Sequence, residues 1–330
     1  MSASRGPAAV PLPRAVVALG GNALLRRGEP LEASTQARAA RVAARHLARS
    51  AADYQLLVTH GNGPQVGLLA LISESYPDTQ PYPLDVLGSE TEGQIGYVLE
   101  LELANALHGQ PTVAVLTRVL VDAGDPAFAD PRKFIGPVYT EAEARSLVAA
   151  RGWQIRPDGS GFRRVVPSPE PLEIVQLEAI RKLHADGFLV ICAGGGGIPV
   201  VCDQAGHQRG VEAVVDKDLA SSLLACELEV DVLILATDVE AVYADYGSPG
   251  QRLITAATPE GLRELPFARG SMAPKVEALC RFVERTGGRG AIGQLEDIEQ
   301  LLDGRAGTQV RADGPAITYS PGSLNHDHAA

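Results

Sequence analysis

Four consecutive glycines, Gly194–Gly197, stand directly after the apolar run Phe188–Cys192. With no Cβ atoms in the way, such a segment can turn its backbone N–H groups toward a bound anion. Two further segments repeat the form: LGGNALLRRG (19–28) follows Ala15–Ala18, and THGNGPQVG (59–67) follows Gln55–Val58. Each reads as strand, glycine-rich turn and helix, with the positive end of the helix dipole adding to the exposed amides. Three such units constrain the chain to an α/β fold with a mainly parallel sheet, and together they point to one shared anion site. A turn that merely packs a tight strand-to-helix loop is the competing reading of any one of them. None fits GxGxxG followed by an acidic ribose anchor, and none fits GxxxxGK[ST], so the ordinary dinucleotide and P-loop readings fail.

Strand-like runs at 15–19, 55–59, 112–116, 188–193, 231–236 and 289–292 alternate with helix-like runs. The helices are expected at about 36–52, 63–74, 91–107, 172–186, 217–227, 272–286 and 295–302. This alternation predicts helices on both faces of the sheet, with the active site at the C-terminal strand ends where the glycine turns fall. The stretch 122–171 breaks the pattern: it is rich in Pro and Gly, holds Trp153, and has one short helix-like piece near 140–151. An insertion of that length reads as a small subdomain or lid. Residues 1–13 and 311–330, rich in Pro, Gly, Ala and Ser, read as poorly ordered tails.

The chain has 330 residues, 45% of them hydrophobic, enough for a large core in two lobes or one large unit. No apolar run reaches the roughly 18 residues of a membrane span, and MSASRGPAAVPLPR lacks a signal-type apolar region, so a cytoplasmic protein is expected. A net charge of −11 disfavours a nucleic-acid partner and leaves any anion to be met by local cations. Cys192, Cys202, Cys226 and Cys280 show no CxxC or histidine spacing, which predicts structural burial in place of zinc or disulfide chemistry. The lysines are only Lys133, Lys182, Lys217 and Lys275. Lys182 falls on a solvated helix face, whereas the other three lie in unusual local motifs where a compact ammonium suits a point-charge contact with phosphate.

Phosphoryl transfer needs positioning and positive charge around the moving group more than covalent help. In VVDKD (214–218), Lys217 lies between Asp216 and Asp218 at an expected helix start. A pair of acids that simply satisfies the helix dipole is the alternative there. GSMAPKVEALCRFVE (270–284) opens with Gly270 and Ser271 as a cap and puts Lys275 in the first helical turn. A lysine there opposes the dipole, at about 0.3–1 kcal/mol, unless an anion is near. In LILATDVEAVYADYG (233–247), Thr237, Asp238, Val239 and Tyr243 follow a strand and could frame a nucleotide, or form a plain strand-to-loop edge. His60, just before the second turn, reads as a hydrogen-bonded structural group.

The segments ALGGNAL (18–24), THGNGPQVG (59–67), DPRKFIGPVY (130–139), AGGGGIPV (193–200), VVDKD (214–218) and GSMAPK (270–275) occur in the order and spacing of the amino acid kinase family. Over about residues 14–310 the chain resembles its carbamate kinase branch. The resemblance implies a three-layer αβα sandwich with a mainly parallel central sheet and a protruding lid subdomain at about 122–171. It implies an N-terminal lobe, 14–222, for carbamate and carbamoyl phosphate, a C-terminal lobe, 223–310, for ATP or ADP, and a homodimer. The implied reaction is reversible phosphoryl transfer between ATP and carbamate with Mg²⁺, run toward ATP in arginine and carbamoyl phosphate catabolism. Carried onto this sequence, the catalytic residues are Lys133, Lys217, Asp218, Lys275 and Asp216. Substrate and phosphate fall to Gly20, Gly21, Asn22, Gly61, Asn62, Gly63, Gly194, Gly195 and Gly196. The nucleotide falls to Thr237, Asp238, Val239, Tyr243, Gly270, Met272 and Pro274, and no side chain is assigned to the metal. The first turn lacks the lysine common in the wider family, and the branch's lid lysine is matched by Lys133. Phe134 stands where the family has proline, so the backbone beside Lys133 loses that fixed φ. Two other readings stand beside this one: a catalytically silent ligand-binding module on the same fold, and a kinase for another small acid such as acetylglutamate. Retention of Lys217, Lys275 and the glycine turns weighs against the first, and the missing first-turn lysine against the second.

Overall fold

The computed structural model describes residues 11–21, 29–75, 78, 80–267 and 272–321. In chain order the strands begin with β1 (Arg14–Leu19), β2 (Gln55–His60), β3 (Thr112–Ala114), β4 (Arg118–Leu120), β5 (Lys133–Tyr139), β6 (Ile155–Asp158), β7 (Gly161–Val166), β8 (Glu173–Ile174) and β9 (Leu189–Ile191). They continue with β10 (Ile198–Cys202), β11 (Gln208–Gly210), β12 (Val232–Thr237), β13 (Val242–Ala244), β14 (Arg252–Ala257), β15 (Arg289–Gln294), β16 (Thr308–Val310) and β17 (Ile317–Tyr319). The helices are α1 (Ala33–Ser50), α2 (Gly63–Ser75), α3 (Leu84–Leu107), α4 (Glu141–Arg151), α5 (Leu177–Ala185), α6 (Lys217–Glu227), α7 (Pro259–Arg263), α8 (Met272–Thr286) and α9 (Ile298–Leu302).

RAVVAL, QLLVTH and VLILAT, the sequences of β1, β2 and β12, are nearly continuous apolar runs, as expected of strands covered on both faces. They form the middle of a run β3-β9-β2-β1-β12-β15 in which every neighbouring pair is parallel. Side-chain alternation sends Val16 and Ala18 of β1 into one core with Leu224 of α6 and Leu279 and Phe282 of α8. Ala15, Val17 and Leu19 enter the other, with Leu47 of α1, Leu99 of α3 and Leu301 of α9. The buried stripe Ala40, Ala43, Ala44 and Leu47 of α1 keeps helical spacing and is narrow enough for close approach to the sheet. The result is the expected three-layer αβα sandwich with a mainly parallel sheet.

Within 122–171, β5, β7 and β6 form an antiparallel sheet, and α4 is started by a capping box between Thr140 and Glu143. This subdomain seats on α2, where a Cβ on Gly67 would overlap the backbone of Gly136. Val66, Ala70, Leu84 and Leu87 of the body and Ile135 and Val166 of the subdomain form a small core around that contact. Gly67→Ala should force the two backbones apart and cost about 1–3 kcal/mol through overpacking. An unchanged urea midpoint would contradict so close a seat.

Three expectations need correction. The tail expected from 311 onward is ordered as far as 321, because Ile317–Tyr319 forms β17 on the edge of β14 and Arg252 lies over the Tyr319 ring at 3.8 Å. A β-branched and aromatic triplet on an open edge outweighs the Pro, Gly and Ser around it. Residues 1–10 and 322–330 lie outside the described residues. The helix expected at 172–186 starts only at Leu177, since Glu173 and Ile174 pair with β4 as β8. Cys192, Cys226 and Cys280 are buried, whereas Cys202, the last residue of β10, is exposed. No helix among the described residues is long and apolar enough to cross a membrane.

Candidate active site

The ends of β1, β2 and β12 are level, because Leu19 pairs in register with both His60 and Ala236. The chain leaves all three at one place, and the glycine turns meet there. Gly20 N–H donates to Ala236 O and Gly61 N–H to Leu19 O, each at 2.9 Å. A Cβ on Gly20 would lie 2.9 Å from Ala236 O, and one on Gly61 would lie 2.9 Å from Gly21 N. The third turn places Ala193 at a φ of 49° and Gly195, Gly196 and Gly197 at 69°, 95° and 81°, left-handed positions that glycine fills without strain. Gly195 packs on the Asn62 side chain and Gly196 on the Val215 backbone with no room for a Cβ. Gly63 begins α2 immediately after Asn62, whose Nδ2 donates to Thr91 Oγ1 at 2.9 Å. Gly20, Gly21, Gly61, Asn62, Gly195 and Gly196 are therefore joined by direct contact, and Gly196 leads to Val215 and Asp216.

Asp216 caps α6: its Oδ1 accepts from the Asp218 N–H at 2.9 Å and the Leu219 N–H at 3.3 Å. Its Oδ2 accepts from Lys133 Nζ at 2.6 Å, reaching in from β5 of the inserted subdomain. Asp218 accepts from Lys217 Nζ at 2.6 Å on one oxygen and from Lys275 Nζ at 2.8 Å on the other. Three ammonium groups from β5, α6 and α8 thus converge on two carboxylates, and all five expected catalytic residues come together. Lys275 lies in the first turn of α8, and Asp218 supplies the anion that offsets the dipole there. Burial raises the Asp218 carboxyl, but the two lysines outweigh it and hold the group well below the usual carboxylate range. Burial likewise opposes the charge on both lysines. It prevails at Lys217, which is lowered, whereas Asp218, Asp216 and Asp238 raise Lys275 despite it.

Toward the other rim, Thr237 ends β12 beside Gly20, and its hydroxyl donates to Asp238 Oδ1 at 3.2 Å. Val239 is half-buried, and Tyr243 of β13 donates to Glu240 at 3.3 Å and packs on Tyr246 with ring centroids 5.9 Å apart. Met272 and Pro274 open α8, three and one residues before Lys275. Asn22 and Gly270 lie outside the described residues.

Two buried groups were given no site role by sequence. Glu92 of α3 accepts from the Gly194 N–H at 2.9 Å and the Thr117 N–H at 3.2 Å, and burial pushes it up to about 8. Its signal was present: Glu92 lies three and seven residues before the buried Ile95 and Leu99, on the face that enters the core. His60, expected to be a hydrogen-bonded structural group, is buried with its Nδ1 3.4 Å from Gly61 O, yet its Nε2 has no partner among the described residues. Burial holds it down to about 4, with Lys217 adding to the effect, so it is neutral at pH 7.

Among the described residues, no group of three or more His, Cys, Asp or Glu could hold a metal ion. Asp216 and Asp218 are already engaged by lysines. This donor set suits a divalent cation that is carried mainly by nucleotide phosphates and water.

Fold and site together define an α/β protein whose glycine turns and lysine–aspartate cluster meet at the C-terminal ends of a parallel sheet. Residues 13–293 match the amino acid kinase family, and the chain belongs to that family. It is 49% identical over 307 residues to the carbamate kinase of Haemophilus influenzae, covering 93% of this chain and 99% of that one. Carbamate kinase from Giardia lamblia bound to AMP-PNP aligns with a TM-score of 0.84 at 38% identity, covering 92% of this chain and 99% of the other. The same enzyme bound to citric acid aligns at 0.86, with the same identity and coverage. Within the family the chain stands with the carbamate kinases, phosphotransferases with a carboxyl group as acceptor.

Proposed function

We propose that this chain transfers a phosphoryl group reversibly between carbamoyl phosphate and ADP, giving carbamate and ATP. The observation that carries the reading is the convergence of Lys133, Lys217 and Lys275 on Asp216 and Asp218 beside three touching glycine turns. In the ATP-forming direction, a terminal ADP oxygen forms the new P–O bond while the bond from phosphorus to the carbamoyl oxygen breaks. Carbamate leaves as its anion, so no proton has to move. That balance requires no general base, which accords with a neutral His60 and an uncharged Glu92 near pH 7. Lys217 and Lys275, held in place by Asp218, neutralise charge spreading over the equatorial oxygens, and the turn amides orient them. Mg²⁺, when bound with the nucleotide, would neutralise its phosphates.

The two substrates are assigned to the two parts of the sheet. Residues 14–222 supply the carbamoyl phosphate side, and 223–310, with Thr237, Asp238, Val239, Tyr243, Met272 and Pro274, supply the nucleotide side. The physiological direction is toward ATP, because carbamoyl phosphate is a mixed anhydride and its transfer to ADP runs downhill. The setting would be carbamoyl phosphate catabolism in the cytoplasm. A homodimer is supported by Tyr97 and Leu101, which leave α3 63% and 43% exposed, with Leu116 at 53% beside Gly93 of the same helix. The deciding experiment is ATP formation from carbamoyl phosphate, ADP and Mg²⁺, where no product at any substrate concentration would overturn the reading.

Lys133 has a separate expectation, since its side chain is 33% exposed and comes from the lid. Lys133→Ala should weaken use of carbamoyl phosphate while leaving ADP binding nearly unchanged. Calorimetric titration with ADP checks this, and a large loss of ADP affinity would place Lys133 at the nucleotide instead.

A further inference from the structure

The N–H groups of the Ala193–Gly197 turn can be accounted for one at a time. Ala193 N–H donates to Thr117 Oγ1 at 2.9 Å and Gly194 N–H to Glu92 Oε1 at 2.9 Å. Gly196 N–H donates to Ala193 O at 3.1 Å and Gly197 N–H to Gly194 O at 3.0 Å. Gly195 N–H alone has no partner among the described residues. Gly195 packs on the Asn62 side chain, and the next residue, Gly196, lies against the backbone of Val215 and Asp216, whose carboxylate holds Lys133.

The turn is held from behind by buried polar groups. Glu92 is 3% exposed and binds Gly194 and Thr117 together, and His60, 1% exposed, packs with Glu92 against Gly194. Neither group is needed for the phosphoryl transfer derived above, and buried polar side chains are costly to keep without a purpose.

We propose that Glu92 is a positioning residue: its carboxyl group, backed by His60, clamps the Gly194 turn so that the Gly195 N–H faces the anionic end of carbamoyl phosphate. The inference rests on the reading of the site as one for carbamoyl phosphate. It also makes Glu92 a pH-sensitive element. Below about 8 the carboxyl is neutral, and above it a negative charge stands behind the turn that receives the anion. The other titratable groups around it are His60 from β2, the buried Cys192 thiol just after β9, raised by burial and by Glu92, and Lys217 from α6, which acts on His60. Cys192 stays neutral through the pH range concerned, as does His60.

The test is steady-state ATP formation by the purified full chain between pH 6 and 9, with KM measured separately for carbamoyl phosphate and ADP. Glu92→Ala should raise the KM for carbamoyl phosphate by about tenfold or more at pH 7, because a buried N–H loses its acceptor, while the KM for ADP stays within about twofold. Glu92→Gln keeps an acceptor oxygen and should bring the KM back to within about threefold of the parent. It should also abolish the rise in carbamoyl phosphate KM that the parent shows above pH 8. Lys217 is present in parent and variant alike, so the difference between their profiles reports Glu92. If Glu92→Ala does not fold, the Glu92→Gln profile decides: one that follows the parent's overturns the inference. Equal rises in both KM values, or a lowered melting point with both KM values unchanged, would reduce Glu92 to a structural group. A parent protein that forms no ATP overturns the reading of the site and this inference with it, whereas an active parent with an indifferent Glu92→Ala overturns the inference alone.

Discussion

Replacing Lys217 or Lys275 with alanine should lower turnover at saturating carbamoyl phosphate and ADP by at least about two orders of magnitude. The side chains are 10% and 16% exposed, so their charges act with little screening by water. Charge developing on the transferred phosphoryl group meets two ammoniums already fixed by Asp218, and no reorganisation is needed as it develops. Removing one leaves the other paired: Lys275 still holds Asp218 in Lys217→Ala, and Lys217 holds it in Lys275→Ala. Folding should therefore survive either change, and the loss should appear in turnover more than in binding. Near-parental turnover in either variant would remove that lysine from the mechanism.

Asp218→Ala should have the largest effect on stability, about 3 kcal/mol or more, because it strands two buried ammoniums instead of one. The urea midpoint at pH 7 measures it, and a loss under about 1 kcal/mol would mean that the lysines find other partners. Since the folded carboxyl is held below the unfolded value near 3.9, its contribution is fully present above that pH. It is lost as pH falls through the lower folded value, so the gap between parent and variant should narrow in strong acid. Asp218→Asn keeps the shape without the charge and should fall between the two.

Much of this was legible in local sequence. Lys217–Glu227 and Met272–Thr286 form the helices expected from their spacing, and β1, β2 and β12 fall within a residue of their apolar runs. These are elements whose pattern alone determines which face is buried. The four-stranded sheet of β11, β10, β4 and β8 was not legible, because its short strands have no periodicity of their own and pair across long separations. The lysines could be singled out by rarity, but not their partners: Asp218 and Lys275 are 57 residues apart, and only the fold brings them together. Glu92 went unassigned although its spacing to Ile95 and Leu99 puts it on the buried face of α3, because its partners Thr117 and Gly194 are distant in sequence and only the fold brings them to it.

The level ending of β1, β2 and β12 constrains how the gene can vary. One residue added inside any of these strands would lift the loop that follows it, a glycine turn after β1 and β2 and Thr237–Asp238 after β12, by about 3.3 Å and swap the faces of every side chain beyond it. Insertions at the opposite rim, around Ala51–Tyr54 or Glu229–Asp231, leave that alignment intact. Length differences among relatives should therefore gather at the N-terminal ends of these strands, and the rim that carries the lysines should keep a fixed count.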